Sequence, residues 1–84
     1  MFNSIGQTFD IYVNRLSVIF ITYGAVQDVD VYVCRCSTKD YYMFNGIHIS
    51  DRLKDIYEID LDIQTATVTV TSKRAWMQVD VLKL

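Results

Sequence analysis

Few side chains in this 84-residue chain could do chemistry, and His48 comes first, as the only histidine and the one conventional general base near neutral pH. It stands beside Ser50 and Asp51, which gives the outline of a Ser, His, Asp set. Residues 48 and 50 project from the same face of one short strand, whereas a working triad needs the base hydrogen-bonded to both partners through opposite ring nitrogens. Hydrolysis by this set is therefore not expected. The only two cysteines, Cys34 and Cys36, could offer thiolates to a soft metal such as copper(I) or zinc. If Asn45-Gly46 and Lys39-Asp40 each form a two-residue hairpin loop, Cys36, Met43 and His48 line up across one sheet face. Cys36 and His48 are then two strand spacings apart, roughly 9 to 10 Å, too far for one ion. A free cysteine more often behaves as a small buried hydrophobe. No metal or other cofactor is expected, and the glycine-rich phosphate loops, the nucleophile elbow, HExxH and paired CxxC are all missing. The chain reads as a non-enzyme.

Two further groups of residues point to binding. Asp51, Asp55, Glu58, Asp60 and Asp62 fall within twelve positions, diluted by Arg52 and Lys54, and Glu58, Asp60 and Asp62 share one strand face. A flat row of carboxylates does not wrap a calcium ion. It makes a solvated face or a docking stripe for a basic partner. The aromatic residues, 13% of the chain, are the more informative excess. Tyr23, Tyr32, Tyr41, Tyr42, Phe44 and Trp76 cannot all turn inward, because consecutive strand residues face opposite sides. Tyr32, Tyr41, Tyr42, Phe44 and Trp76 are the candidate interface residues, since tyrosine and tryptophan dominate binding hot spots.

The elements that must position these groups are strands. Ser17 to Tyr23 is a β-branched run ending at Gly24, and Val29, Val31 and Val33 alternate with Asp30, Tyr32 and Cys34, so an antiparallel pair is expected. Tyr41 to Phe44 and Ile47 to Ser50 flank Asn45-Gly46, the strongest hairpin signal in the chain. With a turn at Ser37 to Asp40, residues 29–50 read as a three-stranded meander. Ser50 to Tyr57 reads as a helix of one to two turns, capped by Ser50, with Leu53 and Ile56 or Tyr57 inward. Ile59, Leu61 and Ile63 then alternate with Glu58, Asp60 and Asp62. After Gln64 and Thr65 the phase slips to Ala66, Val68 and Val70, which implies a turn or bulge. Ala75 to Leu82 returns as the last strand. Asn3 to Gln7 reads as a short helix or irregular lead-in, with strand from about Phe9. The expected fold is mainly β: a small antiparallel β-sandwich or partly open barrel of six to eight strands, with one short helix near 50–57.

Length and composition narrow the function. At 84 residues the chain is read as a single domain, 1–84, with a core that supplies only a few kcal/mol. Cysteines two apart in a strand, roughly 6.5 to 7 Å between Cα atoms, staple nothing. A net charge of −2 and a pI near 5.0 leave no cationic footprint for nucleic acid. The longest apolar run, Val18 to Val26, is interrupted by Thr22 and Gly24, falls short of the ~20 residues that span a bilayer, and reads as a buried strand. No signal peptide is visible, so a cytoplasmic or virion location is expected, with neither membrane nor small-molecule substrate. The leading expectation is an assembly or interaction subunit, a homo-oligomer joined through strand edges and aromatic side chains. In general layout, a short lead-in and then a compact β-sandwich ending in a hairpin, the chain is similar to small connector, neck or tail proteins of tailed bacteriophage particles. That likeness implies a virion component. The alternative is a small acidic inhibitor or regulatory protein that docks on a basic surface.

Overall fold

Dense β-branched and aromatic residues, broken at short polar stretches, fold this chain into strands throughout. The structure, a computed structural model, describes residues 5–24, 26–38 and 41–84, and the side chains of 37, 38 and 41–43 fall outside that description. Seven strands follow in order: β1 (Thr8–Tyr12), β2 (Ser17–Tyr23), β3 (Val29–Thr38), β4 (Tyr41–His48), β5 (Tyr57–Asp62), β6 (Thr67–Ser72) and β7 (Met77–Lys83). They form two open antiparallel sheets, one of three strands in the order β1-β6-β5 and one of four in the order β4-β3-β2-β7.

One core joins the two sheets. Ile11, Val68 and Val70 come from the smaller sheet, and Ile19, Ile21, Tyr32, Cys34, Cys36 and Met77 from the larger. Leu53, Ile56 and Tyr57 fill the space near the connection from β4 to β5. Burying an aliphatic side chain of this size contributes about 1.5 to 3 kcal/mol. Backbone bonds tie the layers as well: the Cys36 N–H donates to the Val13 carbonyl at 2.8 Å, and the Val13 N–H to that of Ala66 at 2.7 Å.

Three expectations need correction. No helix occurs among the described residues, so the fold is two open sheets without the expected helical element. Between Ser50 and Tyr57 the chain makes successive turns instead. The Ser50 carbonyl accepts from Leu53 and Lys54, each at 3.2 Å, and the Leu53 carbonyl from Ile56 at 2.9 Å. Both ends of this segment are pinned, Ser50 to Asp30 and Tyr57 to the same carboxylate, which leaves too little chain to propagate a helix. Leu53, Ile56 and Tyr57 are nonetheless buried.

The Asn45-Gly46 hairpin is also overturned. β4 runs straight through it, with Asn45 opposite Val33 and Gly46 opposite Tyr32, so residues 29–50 are two strands and not a meander of three. The register then shifts between Val31 and Tyr32, because Val31 faces His48 and Ile47 is the extra, bulged residue. Gly46 serves close approach here. A Cβ on it would lie 2.8 Å from Ile49 Cδ1 and 3.4 Å from Tyr32 Cε1. A long partner strand and the Tyr32 ring outweigh the local turn preference of Asn-Gly.

The chain does not end in a hairpin either, because β6 pairs with β1 and β5 whereas β7 pairs with β2. The phase slip at Gln64-Thr65 is a turn over 63–66, in which Ala66 adopts φ 52°. The lead-in at Asn3 begins outside the described residues, and its described part is a turn at Ile5-Gly6 with φ 82° at Gly6.

Candidate interaction surface

Which face of each strand turns outward decides what this molecule shows to others. In β2, Ser17, Ile19 and Ile21 are fully buried, so Val18, Phe20 and Thr22 face out. In β3 the buried set is Asp30, Tyr32, Cys34 and Cys36, which sends Val29, Val31 and Val33 to the outside. The inward set contains a charged residue, so hydrophobicity alone does not explain the choice. Asp30 is held by donors from two neighbours. Its Oδ1 accepts the Ser50 N–H at 2.6 Å and its Oδ2 the Tyr57 hydroxyl at 2.7 Å. Tyr57 has then used its one proton, so the Tyr32 hydroxyl, 2.5 Å away, donates to it.

This buried chain of hydroxyls sits within an aromatic cluster. The Tyr32 ring stacks on Phe44 at 5.6 Å and meets Tyr57 edge-on at 6.1 Å. Burial pushes the Tyr57 hydroxyl far above the ordinary tyrosine range, with its bonds to Tyr32 and Asp30 acting the same way. Tyr32 is raised too, chiefly by burial, against the opposing effect of its bond to Tyr57. A satisfied buried network of this kind fixes one facing for the strand that carries it.

The resulting outer face of the larger sheet is apolar. One row across the strands is Val33, Val18 and Leu82, and the next is Val31, Phe20 and Asp80. Val18, Phe20, Val31 and Val33 are half-buried, and Leu82 is exposed. Among the described residues, none of the five belongs to the core or packs against it. Strand spacing and rise put the area of this patch on the order of 300 Å². Patches of a few hundred Å² commonly mark interaction sites.

The outer face of the smaller sheet is the opposite. Thr71, Thr69 and Thr67 of β6 lie between Thr8, Asp10 and Tyr12 of β1 and Glu58, Asp60 and Asp62 of β5. Much of its polarity is spent locally. Thr69 Oγ1 donates to Asp10 at 2.9 Å, Asp60 accepts the Leu61 N–H at 3.1 Å, and Asp62 accepts the Gln64 N–H at 3.0 Å. Glu58 pairs with Lys73 at 3.2 Å.

The residues singled out from sequence are scattered over these environments. Tyr32 is in the core and Phe44 is half-buried against it, while Trp76 is 59% exposed, in the turn before β7, with φ 72°. The side chains of Tyr41 and Tyr42 lie outside the described residues. Glu58, Asp60 and Asp62 are all exposed. Sequence reasoning missed Val18, Phe20, Val31, Val33 and Leu82. The signal was available in the partner alternation of β3, whose valine set and Asp-Tyr-Cys set cannot both face in.

The chemical candidates do not converge. His48 lines a surface cleft of about 390 Å³ with Gln27, Asp28, Val29, Ile49 and Ser50. The Ser50 hydroxyl donates to Asp28 Oδ2 at 3.0 Å and accepts the Arg52 N–H at 3.0 Å, so its bonds go to groups other than the imidazole. With the hairpin gone, Cys36 faces Tyr42 rather than Met43, and Met43 and His48 lie on one strand. Among the described residues, no group of three or more His, Cys, Asp or Glu is placed to hold a metal ion. Burial raises the Cys34 thiol to about 11, and the Cys36 thiol donates to the Ile63 carbonyl at 3.4 Å. No helix among the described residues is long and apolar enough to cross a membrane.

A mainly-β domain of two open sheets, with an aromatic cluster, interstrand bonds and a surface suited to protein contacts, is the class these features define. Comparison of the chain with protein-family models, with curated proteins and with solved structures gives no match in any of the three.

Proposed function

We propose that this domain is a non-enzymatic interaction and assembly subunit that associates with copies of itself through the apolar outer face of its four-stranded sheet. The observation that carries this reading is the patch of Val18, Phe20, Val31, Val33 and Leu82, which the chain's own described residues leave outside the core. Trp76 supports it. A bulky residue at positive φ is a strained conformation, and such strain collects at functional positions. A virion building block, of the kind found in phage connectors, necks or tails, is one setting for such a subunit, drawn from chain layout.

Size-exclusion chromatography with light scattering tests the reading. A mass above the 9.8 kDa protomer at micromolar concentration is expected, and it should fall in Phe20→Glu. A wild type that stays monomeric up to about 100 μM, where an affinity of that order is only ~5.5 kcal/mol, ends the reading.

A second reading has its own observation. Asp10, Glu58, Asp60 and Asp62 share the outer face of the smaller sheet, which suits docking on a basic protein surface. Ionic strength separates the two. Docking by carboxylates weakens as salt rises past ~0.15 M, whereas association through valine and phenylalanine does not.

A further inference from the structure

The self-association proposed above leaves open how two copies meet, and this inference rests on that reading. β7 closes the larger sheet on one side, paired to β2 over seven consecutive positions from Met77 to Lys83 without a bulge, and among the described residues no strand pairs with its other side. It carries no proline; its inner face is covered at Met77, which is fully buried, and Lys83 reaches the Tyr12 carbonyl of β1, while Val81 between them is 40% exposed. A straight edge of this kind is a template for another strand. The geometry points to a second copy of this chain as that strand: β7 pairs antiparallel with the β7 of a partner subunit about a twofold axis through Val79.

Side-chain chemistry selects the register. In one continuous sheet, directly opposed residues lie on the same face, so a twofold pairing must pass through a residue and match odd positions with odd and even with even. Centring on Asp80 sets two carboxylates face to face, a like-charge pair that destabilises. Centring on Val81 sets Asp80 against Leu82. Centring on Val79 pairs Val79 with its own copy, Met77 with Val81, and Gln78 with Asp80. That last pair joins an amide donor to a carboxylate. The two already lie within reach along one strand, with Gln78 Nε2 3.2 Å from Asp80 Oδ2.

The area argument leads to the same seam. The apolar face of one protomer, on the order of 300 Å², falls short of the ~800 Å² per partner of a standard interface. Joining two sheets edge to edge sets both outer faces on one side of the assembly, flanking the Gln78 and Asp80 seam, and adds a row of backbone hydrogen bonds. The edge pairing therefore adds contact between copies that the face alone does not supply.

The test uses the full chain. Gln78→Glu sets a second carboxylate against Asp80 at both ends of the seam and should weaken association at least tenfold by light scattering across a dilution series. Gln78→Lys should hold or tighten it, and raised salt should remove any gain. Val79→Cys should form a covalent dimer on mild oxidation at least ten times faster than Val81→Cys, with the wild type, whose two cysteines are buried, as the blank. If Val81→Cys crosslinks as fast, or Gln78→Glu associates like wild type, the register is wrong. Loss of association in Phe20→Glu with no response at Gln78 or Val79 keeps the face and discards the edge. A monomeric wild type discards both.

Discussion

The two outer faces of this molecule differ in what selects them. On the smaller sheet, Ile59, Leu61, Val68 and Val70 turn in, and threonines and carboxylates turn out, as binary patterning dictates. On the larger sheet both alternating sets of β3 are mostly apolar, and a buried carboxylate decides between them. The first face follows from hydrophobicity and the second from hydrogen bonding. A strand with two apolar faces thus needs a polar anchor to define which one meets the world.

The largest expected effect comes from removing that anchor. Asp30→Ala leaves the Tyr57 hydroxyl and the Ser50 N–H without their acceptor, and should cost about 3 kcal/mol in urea unfolding. A loss below about 1 kcal/mol would mean that packing alone orients β3. Next, Phe20→Glu should weaken self-association at least thirtyfold, roughly 2 kcal/mol, while the urea midpoint moves little. Equal loss from a carboxylate substitution on the other face would erase the contrast between the two.

Alkaline pH gives a smaller, graded effect. The Cys34 thiol is raised from its ordinary 9.0 to about 11 in the folded chain, so above pH 9 the unfolded state releases its proton first. Stability is therefore intact below pH 9 and falls as pH rises toward 11, by roughly 1 kcal/mol at pH 10. Above pH 10 the raised Tyr57 and Tyr32 hydroxyls add to the decline with the same sign. Cys34→Ala should flatten the curve between pH 9 and 10 and leave the steeper part beyond it. The smallest change is expected from Asp60→Asn, within about 0.5 kcal/mol in stability and without effect on association, because that side chain is exposed and, among the described residues, bonded to its neighbour alone.

Much of the strand framework was legible. Ser17 to Tyr23 coincides with β2, and the slip after Gln64-Thr65 marks the turn between β5 and β6. Both signals are local, carried by β-branched density and by a change of alternation. What sequence did not show was settled by distant partners. Asn45-Gly46 favours a turn in isolation, but β3 offers a longer ladder and Tyr32 needs the space at Gly46. Ser50 to Tyr57 carries helix signals, yet both ends are tied to Asp30. The run from Val18 looked like a buried strand because its length hides the fact that alternate members face out. Aromatic residues drew attention as interface candidates, while Tyr32 was needed inside to close the hydroxyl chain.

The sealed sulfurs of Cys34 and Cys36 supply the molecule with its own clock. A thiol reagent reaches them only when the layers part, so the labelling rate counts openings without any engineered probe. Run at increasing protein concentration, the same clock should slow wherever copies hold each other shut.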